Sequence, residues 1–230
     1  MGKVKSLVKE LKENGEDHEF YPTTTEIIKK IAREILRDED YYGRLANNKV
    51  FLDIGAGDIV LGEKLDNIGT PQKFFVHDLS EKSIDVGLER LKSTGINTDI
   101  FHKSVSDCFD FGTIKDQEVD AAFSNSLFSH LSIDLITVCL RNLSPKMKNG
   151  SSYFTSMIIL PDNTERSSYD WSYIDSPFSQ HNSYANKNPF HYTKNTLENL
   201  GANDIGFELK HIHEYGHPFQ KLVEFCCIKN

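Results

Sequence analysis

No apolar run in these 230 residues approaches the ~20 that a membrane-spanning helix needs. Cysteine is scarce. Cys108, Cys139, Cys226 and Cys227 form no C-x-x-C pair, and the last two are neighbours on an expected strand with side chains facing opposite ways, so they read as reduced and structural. Positive charge is in short supply: 26 Lys plus Arg against 34 Asp plus Glu give a net charge of -8, which disfavours a generic nucleic-acid partner. The amino-terminal lysines alternate with glutamates, as on a solvated helix, and lack the continuous apolar segment of a secretory signal. A cytoplasmic location is the expectation. With 38% hydrophobic and 26% charged residues, the composition is that of a globular chain whose length suits one domain, 1–230.

The most informative stretch is Lys49-Val-Phe-Leu-Asp-Ile-Gly-Ala-Gly-Asp-Ile-Val-Leu-Gly62, a buried strand entering a glycine loop and then a helix. A pyrophosphate fingerprint asks for G-x-G-x-x-G, and here Val60 stands where the third glycine belongs. Asp53 at the strand end further repels an anionic ligand and welcomes a cationic one. A D-x-G-x-G loop therefore suits S-adenosylmethionine, which carries an ammonium, a sulfonium and no phosphate. A second apolar strand, Gln72 to Asp78, ends in a carboxylate able to accept both hydroxyls of a ribose or to cap the helix beginning at Ser80.

Asp53-Ile-Gly-Ala-Gly57 together with Asp78 resembles motifs I and II of the class I S-adenosylmethionine-dependent methyltransferases. The likeness continues through Val119-Asp-Ala-Ala-Phe-Ser-Asn-Ser-Leu-Phe-Ser-His-Leu131 and Lys148-Asn-Gly-Ser-Ser-Tyr-Phe-Thr155, and is similar to the small-molecule branch. It covers roughly residues 20–230, specifying fold more sharply than substrate. The resemblance implies a doubly wound α/β fold: a mostly parallel seven-stranded sheet in the order 3-2-1-4-5-7-6, its last strand antiparallel, with helices on both faces. It also implies S-adenosyl-L-methionine as cofactor, held by Asp53, Gly55, Ala56, Gly57, Asp78, Leu79 and Asn125. Asp107 is either a contact to the adenine amine or a turn residue. Tyr21, in Phe20-Tyr-Pro-Thr23, is placed either against the methionine end or merely at the entry to a helix.

Along the chain, residues 1–19 read as a helical extension or lid, and Thr23-Thr-Thr-Glu26 caps a helix carrying Ile27, Ile28, Ile31 and Ile35. A short helix is expected around residues 61–67. Further helices are expected at Ser80–Ser93, from Ser132 as cap, and near Thr193–Leu200. Strands are expected near Thr98–His102, Ser151–Ile159 after an Asn149-Gly150 turn, Ile205–Tyr215 and Lys221–Lys229. The final pair is antiparallel by its short connection. Residues 161–190 break the alternation with prolines and aromatics, and read as a substrate cover in which Trp171 and Tyr173, followed by His191, contact the acceptor.

Methyl transfer is an in-line displacement, in which the protein aligns the nucleophile and, for a hydroxyl acceptor, removes its proton. His130 is the candidate base, with substrate positioning or a structural hydrogen bond as its other roles. His211, His213 and His217 have a spacing that zinc can use, but no cysteine or carboxylate company, and no metal is assigned. The expected function is methylation of a hydroxyl or amine on a small molecule such as a sugar, glycolipid or secondary metabolite. The alternatives are a nucleic-acid methyltransferase, against which Ser124-Asn-Ser-Leu127 lacks the D/N-P-P-Y/F motif, and a cofactor-binding protein without turnover.

Overall fold

A computed structural model describes residues 49–59, 72–160, 164, 167–170, 182–201, 205–213 and 220–228. The expectations for residues 1–48, the helix at 61–67, Tyr21, Trp171, Tyr173 and the turn containing His217 lie outside the described residues.

Parallel neighbours in a sheet need long crossover connections, and the connections here are long enough to supply them. Strands β1 (Val50–Ile54), β2 (Lys73–Asp78), β3 (Phe101–Val105), β4 (Val119–Ser124) and β5 (Met147–Ile159) are parallel neighbours in the order β3-β2-β1-β4-β5. After two two-stranded partners, β6 (Ser168–Asp170) and β7 (Asn182–Tyr184), come β8 (His191–Tyr192), β9 (Phe207–His213) and β10 (Gln220–Cys227). Strand β10 lies antiparallel between β5 and β9, which completes the expected 3-2-1-4-5-7-6 order with one reversed strand. An eighth strand joins the sheet where β8 pairs in parallel with Ile158 and Ile159 at the end of β5.

The period-2 alternation of these strands divides the apolar side chains between two cores. On one face Leu52, Ile54, Phe75, Ala122 and Tyr153 pack with Ile136, Leu140 and Leu143 of helix α2 (Ile133–Leu143) and Leu197 of α3 (Lys194–Gly201). On the other, Phe51, Phe74, Val76, Phe123 and Phe154 pack with Ile84 and Leu91 of α1 (Glu81–Ser93). Phe74 sits at the centre of the second core, with ring centroids of Phe101 and Phe123 at 5.1 and 5.8 Å. The helices therefore lie on both faces, as a doubly wound sheet requires.

Two expected strand starts move, and one expected cap makes no bond. Thr98–Ile100 forms a 3-10 turn in which Asn97 Oδ1 accepts from Asp99 N, so β3 begins at Phe101. Asn149-Gly150 is part of β5: Val119 pairs with Met147 but Ala121 with Ser152, and the extra residues bulge with Gly150 at φ 77°. Ser132 occupies the cap position of α2 in extended backbone, but its hydroxyl makes no capping hydrogen bond.

Candidate functional site

Ligands of open α/β sheets bind beyond the carboxyl ends of the strands. There β1 turns back through residues 55–59, with Gly55, Gly57 and Ile59 at φ 72°, 52° and 62°. Left-handed backbone is natural for glycine and strained for a β-branched residue, so Ile59, fully buried, must be held by its surroundings. Part of the holding comes from α1. A Cβ on Gly87 would stand 2.4 Å from the Asp58 carbonyl oxygen, so the bare glycine lets the helix lie directly on the loop. One turn further, Arg90 Nη2 donates to that same carbonyl at 2.8 Å.

The loop's amides are committed inward. Gly55 N and Ala56 N donate to His77 O at 2.8 and 3.1 Å, and Gly57 N donates to Asp78 Oδ2 at 2.9 Å. A pyrophosphate site presents such amides to the ligand, and this loop has spent these three on β2. Asp78 also accepts from Ser80 N through Oδ1 at 2.8 Å. Each carboxylate oxygen keeps a lone pair for a further donor. Ser80, not Asp78, is the helix cap, its Oγ accepting from Ser83 N at 3.2 Å. Beside Asp78, Leu79 is 76% exposed, an apolar surface next to a carboxylate.

Asp53 is 4% exposed. Burial, reinforced by the nearby Asp78 charge, raises its carboxyl well above the ordinary carboxylate range. A desolvated carboxyl close to a second carboxylate gains from a nearby cation and loses with an anion. On the opposite face of β2, burial lowers His77 to a pKa of about 4 against the pull of Asp78 and Asp110. Its Nδ1 is 3.0 Å from Ser104 Oγ, and its ring lies 4.6 Å from that of Phe111.

The end of β4 supplies the other wall. Leu127 Cδ1 would lie 3.1 Å from a Cβ on Gly55, so the β4 turn rests on the glycine loop. Ser126, at φ 55°, is pinned by its N–H donating to Ser156 Oγ at 2.7 Å and its hydroxyl donating to Gln220 Oε1 at 3.1 Å. Asn125 is exposed and its Oδ1 accepts from Ser156 Oγ at 3.0 Å. His130 ends a 3-10 turn, Phe128–His130, exposed and with Nδ1 2.8 Å from Asn188 Oδ1. His191, by contrast, is 4% exposed, its Nδ1 2.9 Å from Ser183 Oγ. Asp107 is an exposed residue in the turn after β3, where Ser106 Oγ accepts from Cys108 N and Asp110 N.

The structure thus gathers Asp53, Gly55, Ala56, Gly57 and Asp78 at the adjacent ends of β1 and β2, with Asn125 at the end of β4. Sequence reasoning missed Gly87, Arg90, Leu127 and Asn188. Of these, only Gly87 carried a signal, a glycine inside a helical pattern. Away from the site, the buried Glu224 accepts from Ser152 Oγ at 2.7 Å and Lys210 Nζ at 2.9 Å, and its Oε2 lies 3.2 Å from His213 Nε2. These partners outweigh the burial that opposes them and lower its pKa. Among the described residues, no group of three or more His, Cys, Asp or Glu side chains is placed to hold a metal ion. Nor is any helix among them long and apolar enough to cross a membrane.

No family model matches the sequence, and no curated protein matches it. Solved structures do match the fold. Magnesium protoporphyrin IX methyltransferase from Synechocystis, solved with bound S-adenosylmethionine, superposes with a TM-score of 0.60 at 12% identity, over 90% of this chain and 80% of that one. A SAM-dependent methyltransferase from Methanosarcina mazei gives 0.56 at 14% identity, over 80% and 94%. LaPhzM gives 0.58 at 18% identity over 88% of this chain, which spans 55% of the length of that one. The fold is that of the class I methyltransferases.

Proposed function

We propose that this chain transfers the methyl group of S-adenosylmethionine to a hydroxyl or amine of a small molecule. The observation that carries the reading is the pairing of an inward-bonded glycine loop with two carboxylates, Asp53 and Asp78, at the ends of β1 and β2. The donor set fits this cofactor and misfits a dinucleotide, because three loop amides are consumed and the nearby charge is negative. When bound, the cofactor supplies an electrophilic methyl group on a sulfonium.

The chain's own residues then have distinct tasks. Asp78 accepts the ribose hydroxyls through its remaining lone pairs, and exposed Leu79 gives the adenine an apolar support. Asp53, with Gly55, Ala56 and Gly57 alongside, faces the cationic methionine end, to which Tyr21 and Asn125 contribute, while Asp107 serves the adenine amine. His130 takes the acceptor's proton as the new bond forms, and the cover residues Trp171, Tyr173 and His191 hold the acceptor and exclude water. The net charge of -8 supports a small-molecule acceptor over nucleic acid.

Calorimetric titration with S-adenosylmethionine or S-adenosylhomocysteine tests the reading, with binding expected at micromolar concentrations. Asp78→Ala removes the ribose acceptor and leaves Gly57 N and Ser80 N without theirs, so affinity should fall roughly 10- to 100-fold, the worth of about 1.5–3 kcal/mol in charged hydrogen bonds. Unchanged affinity in that variant, or no binding by the parent, refutes the proposal. Binding without transfer to any of a broad acceptor panel assigns the chain as a cofactor-binding protein instead.

A further inference from the structure

We propose that Asn188 is a positioning residue that fixes the tautomer of His130, so that docking of the returning segment 182–192 onto the β4 turn is what makes His130 a competent base. The inference rests on the reading of His130 given above and goes beyond it by tying the base to a different part of the chain.

Three hydrogen bonds join the segments. His130 Nδ1 lies 2.8 Å from Asn188 Oδ1, Phe190 N donates to Ser129 O at 2.6 Å, and the Tyr192 hydroxyl donates to the Leu131 carbonyl. Each of residues 129, 130 and 131 is thus held by one residue of 188–192. The returning segment is anchored in turn: β8 pairs with the end of β5, Leu160 N donates to Tyr192 O, and Tyr184 N donates to Pro189 O. Contacts this regular place Asn188 at a defined point against an otherwise exposed imidazole.

A neutral imidazole has one N–H and one lone pair. An amide oxygen can only accept, so the bond to Asn188 Oδ1 requires the proton on Nδ1 and leaves the lone pair on Nε2. That is the nitrogen able to take a proton from an acceptor. A neutral amide does this without adding a negative charge beside the imidazolium that forms. The arrangement also links recognition to chemistry, because the segment holding Asn188 closes the stretch carrying Trp171 and Tyr173.

The test measures tautomers directly, by imidazole nitrogen chemical shifts in the full-length, nitrogen-15-labelled protein above the histidine titration range. The parent should show His130 mostly as the Nδ1–H form. Asn188→Ala should shift it toward the Nε2–H form without altering the backbone amide spectrum beyond neighbours, and Asn188→Asp, which still accepts, should restore Nδ1–H. A parent that is mostly Nε2–H, or an Asn188→Ala variant with an unchanged tautomer, overturns the proposal whether or not the chain is a methyltransferase. Where an acceptor is in hand, Asn188→Ala should lower kcat roughly tenfold with KM little changed, below the 10²–10⁴ of a whole general base. A shifted tautomer with unchanged kcat refutes His130 as base while leaving Asn188's hold on it intact.

Discussion

At the scale of single residues the site is governed by where charge is tolerated. Asp53 is the clearest case: burial first and Asp78 second push its carboxyl upward, so the folded protein retains a proton that an unfolded chain releases. Folding stability attributable to this group is therefore present at pH values below the ordinary carboxylate pKa and declines as pH rises toward the raised value. A bound cation reverses the balance by favouring the carboxylate. Docking of S-adenosylmethionine should consequently expel a proton, and affinity should climb with pH by up to about tenfold per unit until the raised value is passed. Calorimetry in buffers of different ionisation enthalpy reads the proton count. Asp53→Asn, neutral at every pH, should bind more weakly and abolish both the release and the slope. A pH-independent parent affinity across the acidic range contradicts the assignment of Asp53.

Helix α1 and the glycine loop show how an element sets the shape of a binding surface it does not itself form. Gly87→Ala is a favourable change by helix propensity, worth about 1 kcal/mol. Here the new methyl meets Asp58 O at 2.4 Å, Asp58 C at 2.5 Å and Ile59 Cγ1 at 2.8 Å, all but the last being backbone that cannot swing away. The expected outcome is a net loss of about 1–3 kcal/mol of stability from overpacking. It should come with roughly tenfold weaker cofactor binding as the loop is displaced from Asp78. Glu89→Ala, on the exposed side of the same helix, should change neither. Chemical denaturation and calorimetry on both variants decide it, and wild-type values for Gly87→Ala would dismiss the clamp. The same element shows what was legible in advance. The limits of α1 were readable because Ser80, the Ile84/Leu88/Leu91 stripe and Gly95 are local signals. The packing of Gly87 on Asp58 was not, since it depends on how α1 meets a loop almost thirty residues away in sequence. For the same reason β3 and β5 were misplaced at their starts, where the Asn97 cap and the Gly150 bulge override strand propensity. Strand β8 was not expected, His191 being read only as an acceptor contact after the 161–190 cover, because two residues acquire strand character solely by pairing with β5.

Over the whole molecule, the alternation of strands and helices made the α/β class readable, while the sheet order came from the family resemblance carried by Asp53-Ile-Gly-Ala-Gly57 and Asp78. The candidate site at the ends of β1 and β2 adjoins the place where that order reverses, between β1 and β4. Asp53, Gly55 and Asp78 are continuous with strands whose side chains are buried on both faces, so a ligand that binds them acts on the cooperative unit and not on a peripheral loop. Saturation should then raise the global melting temperature. At a hundred times Kd, mass action adds about 2.7 kcal/mol. For a chain of this size each kcal/mol is worth roughly 2–4 °C, giving an expected rise of about 5–11 °C with S-adenosylhomocysteine. A dinucleotide at equal concentration should produce none, because the loop's amides are already bonded and the Asp78 carboxylate opposes phosphate. Differential scanning calorimetry with the two ligands separates the outcomes. A larger shift with the dinucleotide would mean that the glycine loop reopens its amides to an anion, and that the seat at the ends of β1 and β2 is built for the opposite charge.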